Sequence, residues 1–153
     1  MITRYLEDFA PGQRFGSGRL RVERRDIVDF ARAFDPQPAH LDEDAARSTV
    51  FGGLAASGWH TASLTMRLLV ESEMRPVGGI IGAGFDEFRW PRPVRPGDVL
   101  HVDGEVIETR ASRSRPELGI VRIRATMYNQ SGDPVQVFTP VLMVRRRGAP
   151  SAS

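Results

Sequence analysis

An acid and an imidazole stand five positions apart in the stretch FDPQPAHLDEDAA, residues 34–46. Held together, Asp35 and His40 could take a proton from a bound water and return one, as a general acid–base pair does. Pro36 and Pro38 lie between them, and proline disfavours helical geometry in the residue before it and lacks an N–H to donate. We therefore expect a stiff, non-helical loop that holds two titratable groups steady. The alternative is that Asp35 only ends a helix and His40 satisfies a local hydrogen bond.

A second candidate is the start of the helix predicted from residue 57. Ser57 is a good N-cap residue, and the first N–H groups of a helix lack intrahelical acceptors and carry partial positive charge. Gly58 would let a carbonyl oxygen approach these groups closely, as the oxyanion hole for a thioester requires. The alternative is that Ser57 and Gly58 simply cap the helix.

Two helices are predicted to position these residues. Residues 24–34, RRDIVDFARAF, carry apolar side chains at three- and four-residue spacings, which is typical of a short amphipathic helix. Residues 42–48, DEDAARS, could add another turn. The longest helix is predicted over residues 57–74, where the pattern suggests burial on much of its circumference. Its apolar stripe comprises Trp59, Ala62, Met66, Leu69 and Val70, widened by Leu64 and Leu68.

The sequence after Pro76 changes to the period of strands. Residues 98–109 and 119–128 alternate apolar and polar side chains, as strands with one buried face do. Residues 134–144, PVQVFTPVLMV, are apolar on both faces, and Pro140 indicates an edge strand or a bulge. One buried helix followed by an antiparallel sheet predicts an α+β layout.

The composition excludes several classes of site. The chain has 153 residues, of which 41% are apolar and 26% charged, which is ordinary for one globular domain. It contains no cysteine, so thiolate nucleophiles and zinc–thiolate sites are excluded. All 21 basic residues are arginine, which excludes phosphate-binding and Schiff-base lysines. The three histidines lack the spacing of metal ligands, so we expect neither a metal nor a cofactor.

The charge is concentrated in the last nine residues. RRRGAPSAS holds three arginines and no acid, and without it 18 basic residues face 19 acidic ones. We expect a folded domain over residues 1–144 and a disordered basic tail over 145–153. A near-neutral body predicts no nucleic-acid partner. The absence of a long apolar run or a signal-like start predicts no membrane partner and a cytoplasmic location.

The stretch DIVDFARAFDPQPAHLDEDAARSTVFGGLAASGWH strongly resembles the MaoC-like dehydratases, which include the (R)-specific enoyl-CoA hydratases. RWPRPVRPGDVL is similar to the second signature of that family, and the resemblance runs from about Tyr5 to Val144. In the family motif Asp-x-Asn-Pro-x-His, this chain matches the acid, the proline and the histidine. Gln37 replaces the asparagine and keeps the amide on a longer arm.

The resemblance implies a hot-dog fold, in which an antiparallel sheet wraps around one long central helix, and a homodimer or higher homo-oligomer. It also implies reversible hydration of a trans-2-enoyl-CoA, or a related thioester, to the (R)-3-hydroxyacyl product. Asp35 and His40 would then be the catalytic pair, and Gly58 would hold the thioester carbonyl. Gln37, Ser57 and Trp59 are the candidate substrate-binding residues. A hot-dog acyl-CoA thioesterase and a non-catalytic acyl-thioester-binding or partner subunit remain the alternatives.

Overall fold

A computed structural model describes the secondary structure of residues 2–150. A single turn of 3-10 helix at Leu6–Asp8 precedes the main elements. In chain order these are β1 (Arg14–Gly16), β2 (Leu20–Arg21), α1 (Arg24–Phe34), α2 (Pro38–Leu41), α3 (Glu43–Arg47), α4 (Gly58–Glu71), β3 (Ile81–Arg89), β4 (Val99–Ala111), β5 (Leu118–Tyr128) and β6 (Pro134–Arg145). The helices predicted over residues 24–34 and near 42–48 are both confirmed as α1 and α3.

The strands form an open antiparallel sheet in the order β1–β4–β5–β6–β3. The short strand β2 pairs with the start of β4, next to the stretch that pairs with β1. The strand β3, although it precedes β4 in sequence, lies at the opposite edge of the sheet and pairs with β6. This arrangement, with one long helix against the sheet, confirms the α+β prediction and the hot-dog fold.

The core lies between α4 and the inner face of the sheet. Alternate residues of β4 and β5 are buried, as their sequence pattern predicts. Burying a large aliphatic side chain stabilises the fold by about 1.5–3 kcal/mol, so this two-layer contact contributes much of the stability. The buried residues it joins are Leu68 and Leu69 of α4, Leu100, Val102 and Val106 of β4, and Val121, Ile123, Ala125 and Met127 of β5.

The apolar stripe predicted for α4 is only partly buried. Leu69 lies in the core, but Trp59, Met66 and Val70 are exposed. Three polar residues, His60, Thr61 and Thr65, occupy the buried face instead. The hydroxyl of Thr65 finds partners there, so a polar side chain can be buried without an unsatisfied group. The interpretation that α4 is buried on much of its circumference is therefore wrong.

The strand β6 lies inside the sheet, between β5 and β3. Residues 135–140 are all buried, so both faces of the strand are covered there, and its position between two strands rules out the edge alternative inferred from Pro140. Pro140 pairs with Phe85, directly before a shift in the β3 register, so the irregularity expected of a proline is present.

The basic segment after Val144 begins inside the sheet, because β6 runs to Arg145. The guanidinium of Arg147 lies 2.6 Å from both carboxylate oxygens of Asp8, and its backbone N–H donates to Glu7. The domain boundary at residue 144 and the disordered tail remain predictions, and residues 151–153 lie outside the described part of the chain.

Candidate active site

The proline-containing stretch is a loop followed by one helical turn. Asp35 ends α1 and its N–H donates to the carbonyl of Ala31. Gln37 is extended, as expected before a proline, but α2 then begins at Pro38 and contains His40. The prediction of a fully non-helical loop is wrong at this point, because proline is well tolerated at the first helical position, where its missing N–H would have no partner.

The carboxylate of Asp35 and the imidazole of His40 face one another. Oδ2 of Asp35 lies 3.4 Å from Nε2 of His40, and their side chains are 16% and 7% exposed. Nδ1 of His40 lies 2.7 Å from the carbonyl oxygen of Ala55. A carbonyl can only accept, so Nδ1 carries a proton. A neutral His40 therefore presents the lone pair of Nε2 towards Asp35.

Two further side chains hold the Asp35 carboxylate. The Gln37 amide donates to Oδ1 at 2.5 Å, and the Ser57 hydroxyl donates to Oδ2 at 2.7 Å. The Gln37 bond is the main cause that lowers the pKa of Asp35, followed by the Ser57 bond, whereas burial opposes both. Asp35 is therefore ionised at neutral pH, with each oxygen in a fixed direction.

The N-terminus of α4 begins beside this carboxylate. Ser57 is its N-cap, as predicted, and accepts the Trp59 N–H at 3.3 Å. Within residues 2–150, no acceptor meets the N–H of Gly58. The helix α4 is 14 residues long, and its start carries partial positive charge. This charge lies close to the ionised Asp35, because the N-cap Ser57 donates to that carboxylate.

An indole ring packs against the Cα of Gly58, on the side where a side chain would stand. A Cβ built on Gly58 would lie 2.6–2.8 Å from three ring carbons of Trp90. Even an alanine would therefore have to displace the ring, and the expectation that Gly58 simply leaves space for a ligand is incomplete. Sequence reasoning missed Trp90, whose only signal was its place in the stretch RWPRPVRPGDVL.

A cavity of about 240 Å³ lies between the start of α4 and the segment before β4. Phe51 is part of its wall and also packs on the His40 ring, with 5.8 Å between centroids. The cavity is therefore one side chain away from the candidate pair. Its lining consists of Phe51, Ala56, Gly58, Thr61, Trp90, Pro91, Arg92, Pro93 and Val94.

The segment that leads into α4 is tied down by Arg95. The guanidinium of Arg95 donates to the carbonyls of Gly53 at 2.8 Å and Leu54 at 3.3 Å, and also to that of Phe51. One cation thus satisfies three carbonyl groups of a loop that has no regular structure. These bonds fix the segment of the chain that leads to Ser57.

The structure brings five of the six predicted site residues together around the start of α4. Asp35, Gln37, His40 and Ser57 are joined by contacts, and Gly58 follows directly. Trp59 lies outside this group: its side chain is 57% exposed and borders an open cleft with Phe30 and Phe34.

Two kinds of feature are absent from the part of the chain that the structure describes. No group of three or more His, Asp or Glu side chains there could hold a metal ion. Over the same residues, no helix has both the length and the apolar character needed to cross a membrane.

The sequence and the fold are similar to those of known proteins. A family model described as the MaoC like domain matches residues 8–129, which contain all six candidate residues. The chain is 35% identical over 139 residues to the uncharacterized protein YdeM of Bacillus subtilis, a match that covers 91% of this chain and 96% of that protein. It is 32% identical over 106 residues to the (R)-specific enoyl-CoA hydratase of Rhodospirillum rubrum, covering 65% and 67% respectively. The crystal structure of a MaoC-like dehydratase from Rhodospirillum rubrum superposes with a TM-score of 0.91 at 54% identity, covering 95% of this chain and 99% of that one.

Proposed function

The chain belongs to the MaoC-like domain family, and from this premise we propose that it is a hydro-lyase acting on enoyl thioesters. It adds water reversibly across the double bond of a trans-2-enoyl-CoA, or a related acyl thioester, and forms the (R)-3-hydroxyacyl thioester. The observation that carries the proposal is the pair of the partly buried Asp35 and the buried His40, 3.4 Å apart beside the N-terminus of α4. A carboxylate and an imidazole in this position are suited to proton transfer with a single water.

The pair acts on a water that contacts both Oδ2 of Asp35 and Nε2 of His40 from one side, since these two atoms are 3.4 Å apart. Because Nδ1 of His40 is engaged by the carbonyl of Ala55, Nε2 is the atom that takes a proton from the water. The water oxygen then bonds to C3 of the substrate. The ionised Asp35 lies beside the same nitrogen and stabilises the resulting imidazolium by its negative charge, while the carbonyl of Ala55 holds the opposite nitrogen.

The thioester carbonyl is held at the start of α4. When oxygen bonds to C3, negative charge moves to the carbonyl oxygen, and the N–H of Gly58 together with the helix dipole stabilises it. The imidazolium of His40 then returns its proton to C2. Hydroxyl is thus added at C3 and hydrogen at C2, and the enzyme recovers its initial protonation state.

Gln37 and Ser57 act by orienting Asp35. Each donates to a different carboxylate oxygen, so the plane of the carboxylate is fixed relative to His40. The longer arm of Gln37, compared with the asparagine of the family motif, still reaches Oδ1 at 2.5 Å.

A homodimer accounts for the exposed apolar surface of this chain. Most of β3 is exposed at the sheet edge, where unpaired backbone groups favour pairing with a second chain. Phe85 in β3 and Met66 and Val70 on α4 are also exposed. Surfaces of this kind mark protein interfaces. The strand β6 does not contribute to this surface, since residues 135–140 are buried within the chain.

The test is hydration of crotonyl-CoA, followed by the loss of ultraviolet absorbance from its conjugated enoyl thioester. A thiol reagent in a parallel sample reports free CoA. The expected result is loss of absorbance without thiol release, and an (R)-3-hydroxybutyryl product. Thiol release without hydration would instead identify a thioesterase. Binding without turnover on short, medium and branched enoyl thioesters would identify a non-catalytic subunit.

A further inference from the structure

We propose that Trp90 limits the length of the acyl chain, because its indole forms one wall of the cavity beside Gly58 and is fixed there by the buried amide of Gln136. This inference rests on the proposed function, since it assigns the acyl group to that cavity. It makes short enoyl thioesters the preferred substrates.

The indole of Trp90 lies directly against the start of α4. The closest ring carbon is 2.6 Å from where a Cβ of Gly58 would stand, so ring and backbone are in full contact. Gly58 is also the residue proposed to hold the thioester carbonyl. An acyl chain that extends from that carbonyl into the cavity therefore meets the ring as a wall.

A hydrogen-bond chain fixes the orientation of the ring. Nε1 of Trp90 donates to Oε1 of Gln136 at 2.8 Å, and Nε2 of Gln136 donates to the hydroxyl of Thr65 at 2.9 Å. Thr65 in turn donates to the carbonyl of Thr61 at 2.9 Å. Gln136 and Thr65 are completely buried. Burying a primary amide is costly unless its groups are paired, and one of the partners of this amide is the indole N–H.

Aromatic rings also pack near the indole. Phe88 meets it edge-on at 4.9 Å between centroids, and Phe138 meets Phe88 at 5.9 Å. Removing the indole would therefore extend the cavity towards Phe88 and Gln136 rather than only open it to solvent. At about 240 Å³ the present cavity falls below the common range for ligand pockets, roughly 300–1,000 Å³, which favours a short acyl group.

The test compares crotonyl-CoA with trans-2-octenoyl-CoA in the full chain. In the wild type, kcat/KM is expected to be higher for the four-carbon substrate. In Trp90→Ala, the ratio of kcat/KM for octenoyl-CoA to that for crotonyl-CoA should rise by about tenfold or more, because each accommodated methylene is worth roughly 10-fold or more in an apolar pocket. Two milder variants should raise the ratio by less. Gln136→Leu keeps the volume of the side chain but removes the hydrogen-bond acceptor, and Trp90→Phe keeps a ring but removes the donor.

Tyr128→Ala is the control, because the Tyr128 ring packs on His101 at 5.5 Å between centroids and does not line the cavity. It should leave the ratio as in the wild type, and an equal rise in this variant would overturn the assignment to Trp90. The ratio of dissociation constants for butyryl-CoA and octanoyl-CoA, measured by calorimetry in wild type and Trp90→Ala, gives a second readout that needs no turnover. Hydration with both ratios unchanged in Trp90→Ala would overturn this inference alone. If no enoyl thioester is hydrated, the proposed function fails, and the binding ratio still decides whether Trp90 limits the chain.

Discussion

The hydroxyl of Ser57 joins the start of α4 to the acid of the candidate pair. It donates to Oδ2 of Asp35 at 2.7 Å and accepts the N–H of Trp59 at 3.3 Å. One oxygen therefore both caps the helix and orients the carboxylate. Because the proposed carbonyl site at Gly58 is the next residue, the acid–base pair and the oxyanion site are held in one fixed relation.

Removing either member of the pair should abolish most of the hydratase activity. We expect Asp35→Asn and His40→Gln each to lower kcat on crotonyl-CoA by at least about 10²-fold, the contribution typical of a positioned acid or base. The two residues would act on the same water, so the double variant should be barely slower than either single one. Turnover close to that of the wild type in one single variant would reject the assignment.

The hydrogen bonds to Asp35 should control its protonation. Gln37→Leu and Ser57→Ala each remove a donor that lowers the pKa of this carboxyl, so both should raise it. A carboxyl with a lowered pKa stabilises the fold above its usual value of about 3.9 and loses that contribution as the pH falls through the lower value. In the variants this contribution should be smaller, and its loss should be complete at a higher pH, because the folded pKa lies closer to the unfolded one. Carbon-13 NMR of labelled aspartate measures the shift directly.

Ser63→Ala is the control for this experiment. Ser63 also lies on α4, but its hydroxyl donates to the carbonyl of Trp59 and not to Asp35. The Asp35 pKa should be the same in this variant as in the wild type. A pKa that stays unchanged in both Gln37→Leu and Ser57→Ala would show that their bonds do not hold the carboxylate.

The sequence identified the chemistry of this site better than its geometry. Asp35 and His40 could be predicted because both are titratable, stand close in sequence and match a known motif. The turn at Pro38 was missed because proline restricts the residue before it and yet suits a first helical position. Trp90 and Gln136 were missed for a different reason: their contacts with Gly58 and Thr65 join α4 to distant parts of the chain, and periodicity within one element carries no information about such partners.

A substitution at Gly58 should be harmful mainly through Trp90. We expect Gly58→Ala to lower activity, because the new methyl group would have to displace the indole ring. The fall in activity caused by Gly58→Ala should be smaller when the substitution is made in Trp90→Ala than when it is made in the wild type, because the obstructing ring is then gone. A double-variant cycle of kcat/KM measures this coupling. Additive effects of the two substitutions would show that the methyl group acts by blocking the carbonyl site and not by moving the ring.

The exposed face of α4 should be buried in a dimer. Met66→Asp and Val70→Asp place a charge on apolar side chains that are 36% and 55% exposed in the single chain. If a second copy covers them, each charge must lose its hydration, and the dimer should dissociate at micromolar concentration. Sedimentation measures the mass. Val50→Asp, which places the same charge on an apolar side chain that is 96% exposed outside α4 and β3, is the control for a general effect of charge. A monomeric wild type would contradict the prediction outright.

Protonation of His60 should weaken the fold below neutral pH. Its ring is stacked on Phe30 at 4.8 Å, and its Nδ1 has no hydrogen-bond partner within residues 2–150. Burial lowers the pKa of His60, against a smaller opposing effect of Asp26. The unfolded chain therefore takes up a proton near pH 6.5, while the folded chain resists protonation until a lower pH. Stability is then lost as the pH falls through about 6.5 towards the lower folded value.

The test is urea unfolding of the wild type and of His60→Phe at pH 7.5 and 5.5. The variant keeps a stacked ring but cannot titrate, so its free energy of unfolding should fall less between the two pH values than that of the wild type. Equal falls in the two proteins would show that His60 does not cause the pH dependence.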